Sequence, residues 1–190
     1  MTQRTRIRVH SERAVPEEAA AILTAGLVAH VGFCQDGQPL VIPFAYQYDA
    51  EAGDRLYLHG APGSRALSEL AAGTPVCVTV TLLDELVYSR TALYHSMNYR
   101  SVVCFGRARP ILETAEKAAI FERMVGRYFP GRTAGRDYEA PPVAHLEATA
   151  LVEVTIEEWS AKARRGGPKG PRDDDPEAPG TCGTQSVTAG

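Results

Sequence analysis

The chain has 190 residues, with 20 lysines and arginines against 23 acidic residues and a net charge of −3. This length suits one domain with a sizeable core, and the lack of basic excess argues against nucleic acid as a partner. No apolar run makes a signal peptide or a membrane span, so a cytoplasmic protein with no membrane partner is expected.

Residues 1–14 read as a polar arm. Val15, Ala19, Ile22 and Leu23 recur at helical spacing, Pro16 suits a first turn and Gly26 a stop, which predicts a short amphipathic helix. The apolar runs Leu27 to Cys34 and Leu40 to Asp49 flank Asp36-Gly37, a strong hairpin signal. Pro43 interrupts the second run. Proline has no N–H to donate to a ladder, so an edge or a bulge is expected there. The strand Arg55 to His59 then runs through a Gly/Pro turn into a helix ending near Ala72.

Pro75 to Leu83 alternates and is rich in β-branched residues, and Glu85 to Arg90 is expected to fold back on it through a tight turn at Asp84. Asn98 to Leu112 reads as a long strand in which Gly106 marks a bulge or a close backbone approach. A helix is predicted from Thr114, as N-cap, to about Tyr128, with Ile120, Phe121, Met124, Val125 and Tyr128 in one stripe. Residues 132–142 read as loop, and a last strand runs from Glu147 to Ile156, followed by Trp159. From Gly166 onward, Gly and Pro make up ten of 25 residues and Val187 is the only large apolar one, so residues 166–190 are expected to be a disordered tail. The domain is therefore assigned to residues 15–165. Its six or seven hairpin-joined strands and few helices predict an α+β, mainly β architecture, an antiparallel sheet closed into a small barrel.

The common nucleotide, zinc-protease and serine-hydrolase motifs are absent. The five histidines form no i,i+3 or i,i+4 pair, and Cys34, Cys77, Cys104 and Cys182 form no CxxC, so neither a helix-borne metal site nor a disulfide frame is expected. What remains are residues suited to a phosphorylated aromatic cofactor. Gly63-Ser64-Arg65 at a helix start offers backbone N–H groups, a hydroxyl and a guanidinium to an anion; equally, Ser64 is a plain cap and Arg65 a solvated side chain. Tyr99, Arg100 and Ser101 offer a second arginine and hydroxyls, or are ordinary side chains on an edge strand. Arg65 and Arg100 lack acidic neighbours in sequence and are expected to converge on one anion. The run around Pro43 offers backbone polar groups to the rim of a ring system, or is a kinked core strand.

The segments DGQPLVIPFAYQYD, RLYLHGAPGSRALSEL, SMNYRSVVCFGRARPIL and IEEWSAKAR, in this order, resemble the pyridoxamine 5′-phosphate oxidase-like superfamily, in particular its branch of nitroimidazole reductases. The likeness covers about residues 15–165, and its most specific parts are the HGAPGSR turn and the NYRSVVCFG strand. The resemblance implies a six-stranded FMN-binding split barrel and a homodimer with FMN at the interface, contacted by both chains. It further implies phosphate contacts from Ser64 and Arg65, contacts from Arg100 and Ser101 beside phosphate and ring, cofactor contacts from Gly60 and Tyr99, and backbone contacts from Ile42, Pro43, Phe44 and Ala45. His59 is implied beside the flavin, as cofactor contact and catalytic proton donor, and Trp159, after the last strand, either near the partner's flavin or in the packing of the dimer interface. The segment SAKARRGG departs from the Arg/His pattern with which true pyridoxamine phosphate oxidases hold their substrate, which weighs against vitamin B6 oxidation. An FMN-dependent oxidoreductase acting on a small electron-poor compound is expected; a non-catalytic flavin- or haem-binding module, or a deazaflavin-dependent reductase, is the alternative.

Overall fold

A computed structural model describes residues 2–187. Its elements are α1 (Ala19–Ala25), β1 (Val28–Gln35), β2 (Gln38–Asp49), β3 (Arg55–Gly60), α2 (Arg65–Ala71), β4 (Pro75–Tyr88), β5 (Ser96–Pro110), α3 (Thr114–Tyr128), α4 (Val143–Glu147), β6 (Ala150–Arg164) and β7 (Gly183–Ser186). The β1–β2 turn is built as its sequence demands: Asp36 and Gly37 both have positive φ (51° and 79°), the paired left-handed conformation of a two-residue hairpin loop.

The strands follow the order β1-β2-β3-β6-β5-β4, all antiparallel, and β1 pairs with β4 through His30↔Thr79 to Gly32↔Cys77, closing a ring of six. Alternating residues point inward, among them Ala29, Val31, Tyr46, Leu56, Leu58, Val78, Val80, Val102, Val152 and Val154, and fill the barrel. The α+β split barrel expected from the sequence is what the chain forms.

Two strands run further than expected. β4 does not turn at Asp84; the ladder to β5 skips that residue between Leu83 and Glu85, so Asp84 is a bulge in one continuous strand. β6 continues past Ile156 to Arg164 because a second bulge, where Phe105↔Glu158 is followed by Gly106↔Ile156, bends it around the barrel. Gly106 sits at this bend, and a Cβ there would lie 2.0 Å from the Thr155 carbonyl oxygen. Only glycine permits that approach. Thr114 is the first residue of α3 and not its cap; Glu113 holds the cap position without a side-chain bond.

The tail also differs from its compositional reading over the described residues 166–187. The Asp173 carboxylate accepts from Ser89 Oγ (2.9 Å) and from the N–H groups of Arg90 (2.8 Å) and Gly170 (2.6 Å). The Arg90 guanidinium donates to the carbonyls of Ala178 and Gly180, and β7 pairs with the second half of β4. The segment has little apolar surface to bury, but backbone pairing and a carboxylate with three donors hold it to the barrel. Residues 188–190 lie outside the described residues.

Outside the barrel, Ile120 and Met124 of α3 pack with Tyr57, Ile111 and Leu151 into a second core, with Phe121 and Tyr128 at its margin. Both ends of α3 are tied down by cations. Lys117, 5% exposed, donates to the carbonyls of Leu146 (2.9 Å) and Thr149 (2.8 Å). Arg127 donates to the carbonyls of Leu23 (3.0 Å), Thr24 (3.3 Å), Gly26 and Tyr46, and its guanidinium lies 4.2 Å from the Tyr46 ring centroid. It thereby satisfies the carbonyl end of α1. Arg127→Met keeps the bulk but removes a donor from four carbonyls, of which only Leu23 and Tyr46 keep a tyrosine hydroxyl, and should cost about 2–4 kcal/mol of stability, read as a lower denaturation midpoint at unchanged m-value.

Candidate functional site

The site begins where the β2–β3 ladder stops. The last pair is Tyr46↔Leu58; beyond it His59 and Gly60 pair only with Leu151 and Ala150 of β6, and Ile42, Pro43, Phe44 and Ala45 pair only with β1. Pro43 thus lies on the half of β2 that has a neighbour on one side, as its missing N–H predicts. Tyr128 closes the other edge of β2: its hydroxyl accepts from the Tyr46 N–H at 2.8 Å and lies 2.8 Å from the Leu27 carbonyl, where the next β1–β2 ladder bond would form.

His59 stands at this split, half-buried, its ring 5.0 Å from the Phe121 ring in an edge-on arrangement. It lines a cavity of about 600 Å³ with Phe121, Glu122 and Val125 of α3, Tyr138 of the following loop and His145 of α4. The Nδ1 atom of His59 is buried without a hydrogen-bond partner among the described residues. Burial pushes its pKa below the ordinary histidine value, so near neutrality the ring is uncharged. That alters the role drawn from the sequence: a neutral imidazole donates an N–H hydrogen bond or binds a metal through a bare nitrogen, but is not a ready imidazolium acid.

Gly60 and the turn after it bring the next candidates to the same end of the barrel. Ser64 caps α2, its Oγ accepting from the Leu67 N–H at 3.5 Å, which leaves its own hydrogen to donate. Arg65 is exposed on the first turn of α2 and makes no salt bridge among the described residues.

The second arginine is elsewhere. The α2 turn lies against Pro110 and Ile111, at one end of β5, and Arg100 is ten residues away, roughly 30 Å of strand, at the other. Arg100 also has a partner that linear spacing concealed: its Nη2 and Nε donate to Asp84 at 2.7 and 3.1 Å, a two-pronged pair that holds the carboxyl below its ordinary pKa and raises that of the guanidinium. The expected convergence of Arg65 and Arg100 on one anion does not occur within one chain. Ser101 Oγ donates to the Lys162 carbonyl at 3.4 Å, and Tyr99 is half-buried beside it. Trp159 packs against the barrel core and lines a shallow cleft with Thr5 and Pro16, away from His59.

The register also creates a face the sequence did not announce. Two rows run across five strands on the outside of the barrel: Pro43–His30–Thr79–Val103–Ser160 and Val41–Gly32–Cys77–Phe105–Glu158. Apart from Glu158, which pairs with Arg4, these positions carry no carboxylate, lysine or arginine, and Val41 is 66% exposed. A sheet face with so little charge is unusual for a surface. Cys77 and Cys104 are thiols whose pKa burial raises, to about 12 for Cys104, and the four cysteines are unpaired.

Phe121, Tyr138 and His145 were not among the residues singled out from the sequence. Phe121 and its neighbours were legible as an apolar stripe, but that the stripe roofs a cavity depends on where α3 docks. Tyr138 sits in the segment 132–142 read as loop and His145 just beyond it, where no periodicity signals a site. Among the described residues no cluster of side chains has metal-ligand geometry, and no helix is long and apolar enough to cross a membrane.

Comparisons with known proteins agree with this geometry. The family model described as pyridoxamine 5′-phosphate oxidase matches residues 16–163. Among solved structures, a FAD- and haem-binding protein from Mycobacterium smegmatis is 32% identical, with a TM-score of 0.81 over 93% of this chain and 84% of that one. The flavocytochrome Anf3 from Azotobacter vinelandii is 33% identical, with a TM-score of 0.80 over 100% of this chain and 86% of that one. A 5-nitroimidazole antibiotic resistance protein from Bacteroides thetaiotaomicron shares the fold at 22% identity and a TM-score of 0.65, over 79% of this chain and 86% of that one. No curated protein sequence matches. With a family model spanning most of its length and a six-stranded ring built as that family's barrel, the chain belongs to the pyridoxamine 5′-phosphate oxidase family.

Proposed function

We propose that this protein binds a flavin at the split between β2 and β3 and passes electrons to a small electron-poor molecule, nitro- or quinone-like, that enters the cavity beside His59. The observation that carries the reading is the junction at His59: one residue borders both the open β2 edge with the Ser64–Arg65 turn and the 600 Å³ cavity. Its support from outside the molecule is the likeness, at 32 and 33% identity, to a FAD- and haem-binding protein and a flavocytochrome. The flavin supplies the redox chemistry. The chain supplies Arg65 and the Ser64 hydroxyl for a phosphate, the peptide groups of Ile42 to Ala45 for the ring's polar rim, and a neutral His59 N–H to a substrate oxygen. A single phosphate at Arg65 suits FMN.

In this reading Tyr99, Arg100 and Ser101, at the opposite end of β5 from Arg65, and Trp159, which pairs with Cys104 in the middle of β5 and faces away from His59, serve the same flavin only from a second chain. A homodimer packed through the mostly uncharged outer rows supplies that arrangement. Protein reconstituted with FMN should have a dimer's mass by light scattering. Arg65→Ala should weaken FMN binding about 10- to 100-fold, the loss of charge-assisted hydrogen bonds to a phosphate. Unchanged affinity, or a protein that takes up neither FMN nor FAD, would refute the site.

One observation favours haem as a further occupant. His59 and His145 face the same cavity, Val125, Phe121 and Ala118 give it an apolar lining, and the buried, uncharged His59 imidazole is the form that binds iron. Added haemin should then give a Soret band that His59→Ala shifts or abolishes while FMN uptake persists; identical spectra in the two proteins remove His59 as ligand.

The charge state of His59 is itself checkable. Its folded pKa lies below the unfolded value of about 6.5, so the unfolded chain binds the extra proton first as pH falls. No stability is lost to this group above about pH 6.5; below it stability declines until the folded pKa is passed. Thermal midpoints between pH 7.5 and 5.5 should fall more steeply for the wild type than for His59→Phe, and parallel curves would mean the ring is not desolvated.

A further inference from the structure

The cavity beside His59 has a charge pattern that the flavin reading leaves unused. Most of its wall is apolar, with Ala118 and Val125 of α3 on one side and Ala140 and Pro141 of the following loop on the other. Its lining contains two aromatic rings, Phe121 and Tyr138, and two carboxylates, Glu122 and Glu139, but no lysine or arginine. Neither glutamate makes a salt bridge among the described residues.

Cations are plentiful in the same segments, yet each is engaged outside the cavity. Arg123, next to Glu122 in sequence, donates to Asp49 at 2.9 Å and lies over the Tyr57 ring. Arg127 is spent on the carbonyls at the end of α1 and on that of Tyr46. In the loop, Arg136 pairs with the Asp137 carboxylate at 2.8 Å, and Arg132 donates to the Asp137 carbonyl at 2.6 Å. Lys117 approaches from behind the wall, where the Leu146 and Thr149 carbonyls take its ammonium, and it lines a different cavity. The desolvated His59 ring adds no positive charge near neutrality. Two carboxylates inside are thus left without a counter-ion, in a concavity whose apolar walls screen them less than open water does.

We propose that this cavity selects, among small electron-poor aromatic molecules, those that carry a cationic nitrogen, as a quaternary or protonated amine on the ring or beside it. The proposal rests on the reading of this cavity as the place where the electron acceptor enters, and it narrows the class of that acceptor. A cationic nitrogen pairs with Glu122 and Glu139 and is drawn to the faces of the aromatic rings, while the rest of the molecule meets alanine, valine and proline. A neutral analogue leaves both carboxylates unpaired as it displaces their water, and an anionic one is repelled.

The test is calorimetric titration of the full chain, flavin-free and FMN-loaded, with three probes of one shape: 4-nitrobenzyltrimethylammonium, 4-nitrobenzyl alcohol and 4-nitrobenzoate. At low ionic strength the cation should bind at least tenfold more tightly than the alcohol, and the benzoate most weakly. Added salt should weaken the cation's binding and leave the alcohol's unchanged. Glu122→Gln/Glu139→Gln keeps the shape of both side chains; it should cost the cation at least tenfold in affinity and the alcohol less than twofold, with FMN uptake unaltered. Equal affinity for cation and alcohol, preference for the benzoate, cation binding that survives the double substitution, or no binding of the cation in either form overturns the proposal. Failure of the flavin reading has a different signature: the cation is preferred as stated, but the chain takes up neither FMN nor FAD.

Discussion

The candidate site depends on the docking of α3, and that docking rests on cations bound to carbonyl oxygens. Lys117 near one end and Arg127 near the other are ten residues apart, about 15 Å along the helix, and each takes up the carbonyls at the C-terminal end of another short helix, α4 and α1. A helix held at both ends in this way can bridge a gap without filling it. Beneath it Phe121 reaches the His59 ring while Val125 and Glu122 line open space, and the result is a cavity where a continuous core would otherwise form.

The same clamp also ends the β1–β2 ladder. Tyr128, one residue beyond Arg127, places its hydroxyl between the Tyr46 N–H and the Leu27 carbonyl, where the next β1–β2 bond would form. On the opposite side the backbone of β2 from Ile42 to Ala45 has no second neighbour, since the β2–β3 ladder stops at Tyr46↔Leu58, and unsatisfied backbone polar groups beside a cavity invite a polar ligand. Burial of His59 follows from the same roof, and with it the preference for an uncharged ring.

Charge distribution separates the two ends of the molecule. At the α2 end Arg65 has no carboxylate against it among the described residues. At the other end Arg100 is neutralised by Asp84, while Arg164, Arg165, Lys169 and Arg13 surround a smaller cavity with fewer carboxylates than cations. The two ends are joined by β5 and β6, and the bulge at Gly106, possible only because glycine has no Cβ, gives these two long strands their bend.

Local chemistry determined much of this protein by itself. Two-residue alternation placed the strands, Asp36-Gly37 dictated the first hairpin, Gly106 marked a close approach, and the α3 stripe marked a helix with one buried face. The Ser64 cap was legible, and His59, Gly60 and Arg65 could be singled out as candidates, because all lie within one short strand–turn–helix segment. What only the tertiary structure decided are matters of which distant segments meet. Asp84 looked like a turn and is a bulge that captures Arg100, since carboxylate and guanidinium are neighbours across a ladder and 16 residues apart in sequence. The tail looked disordered because composition reports burial, whereas Asp173 and β7 hold it through polar and backbone bonds. The cavity beside His59 had no signature at all: it is the space left when a helix fastened at both ends spans a split barrel, and empty space has no residues of its own to read.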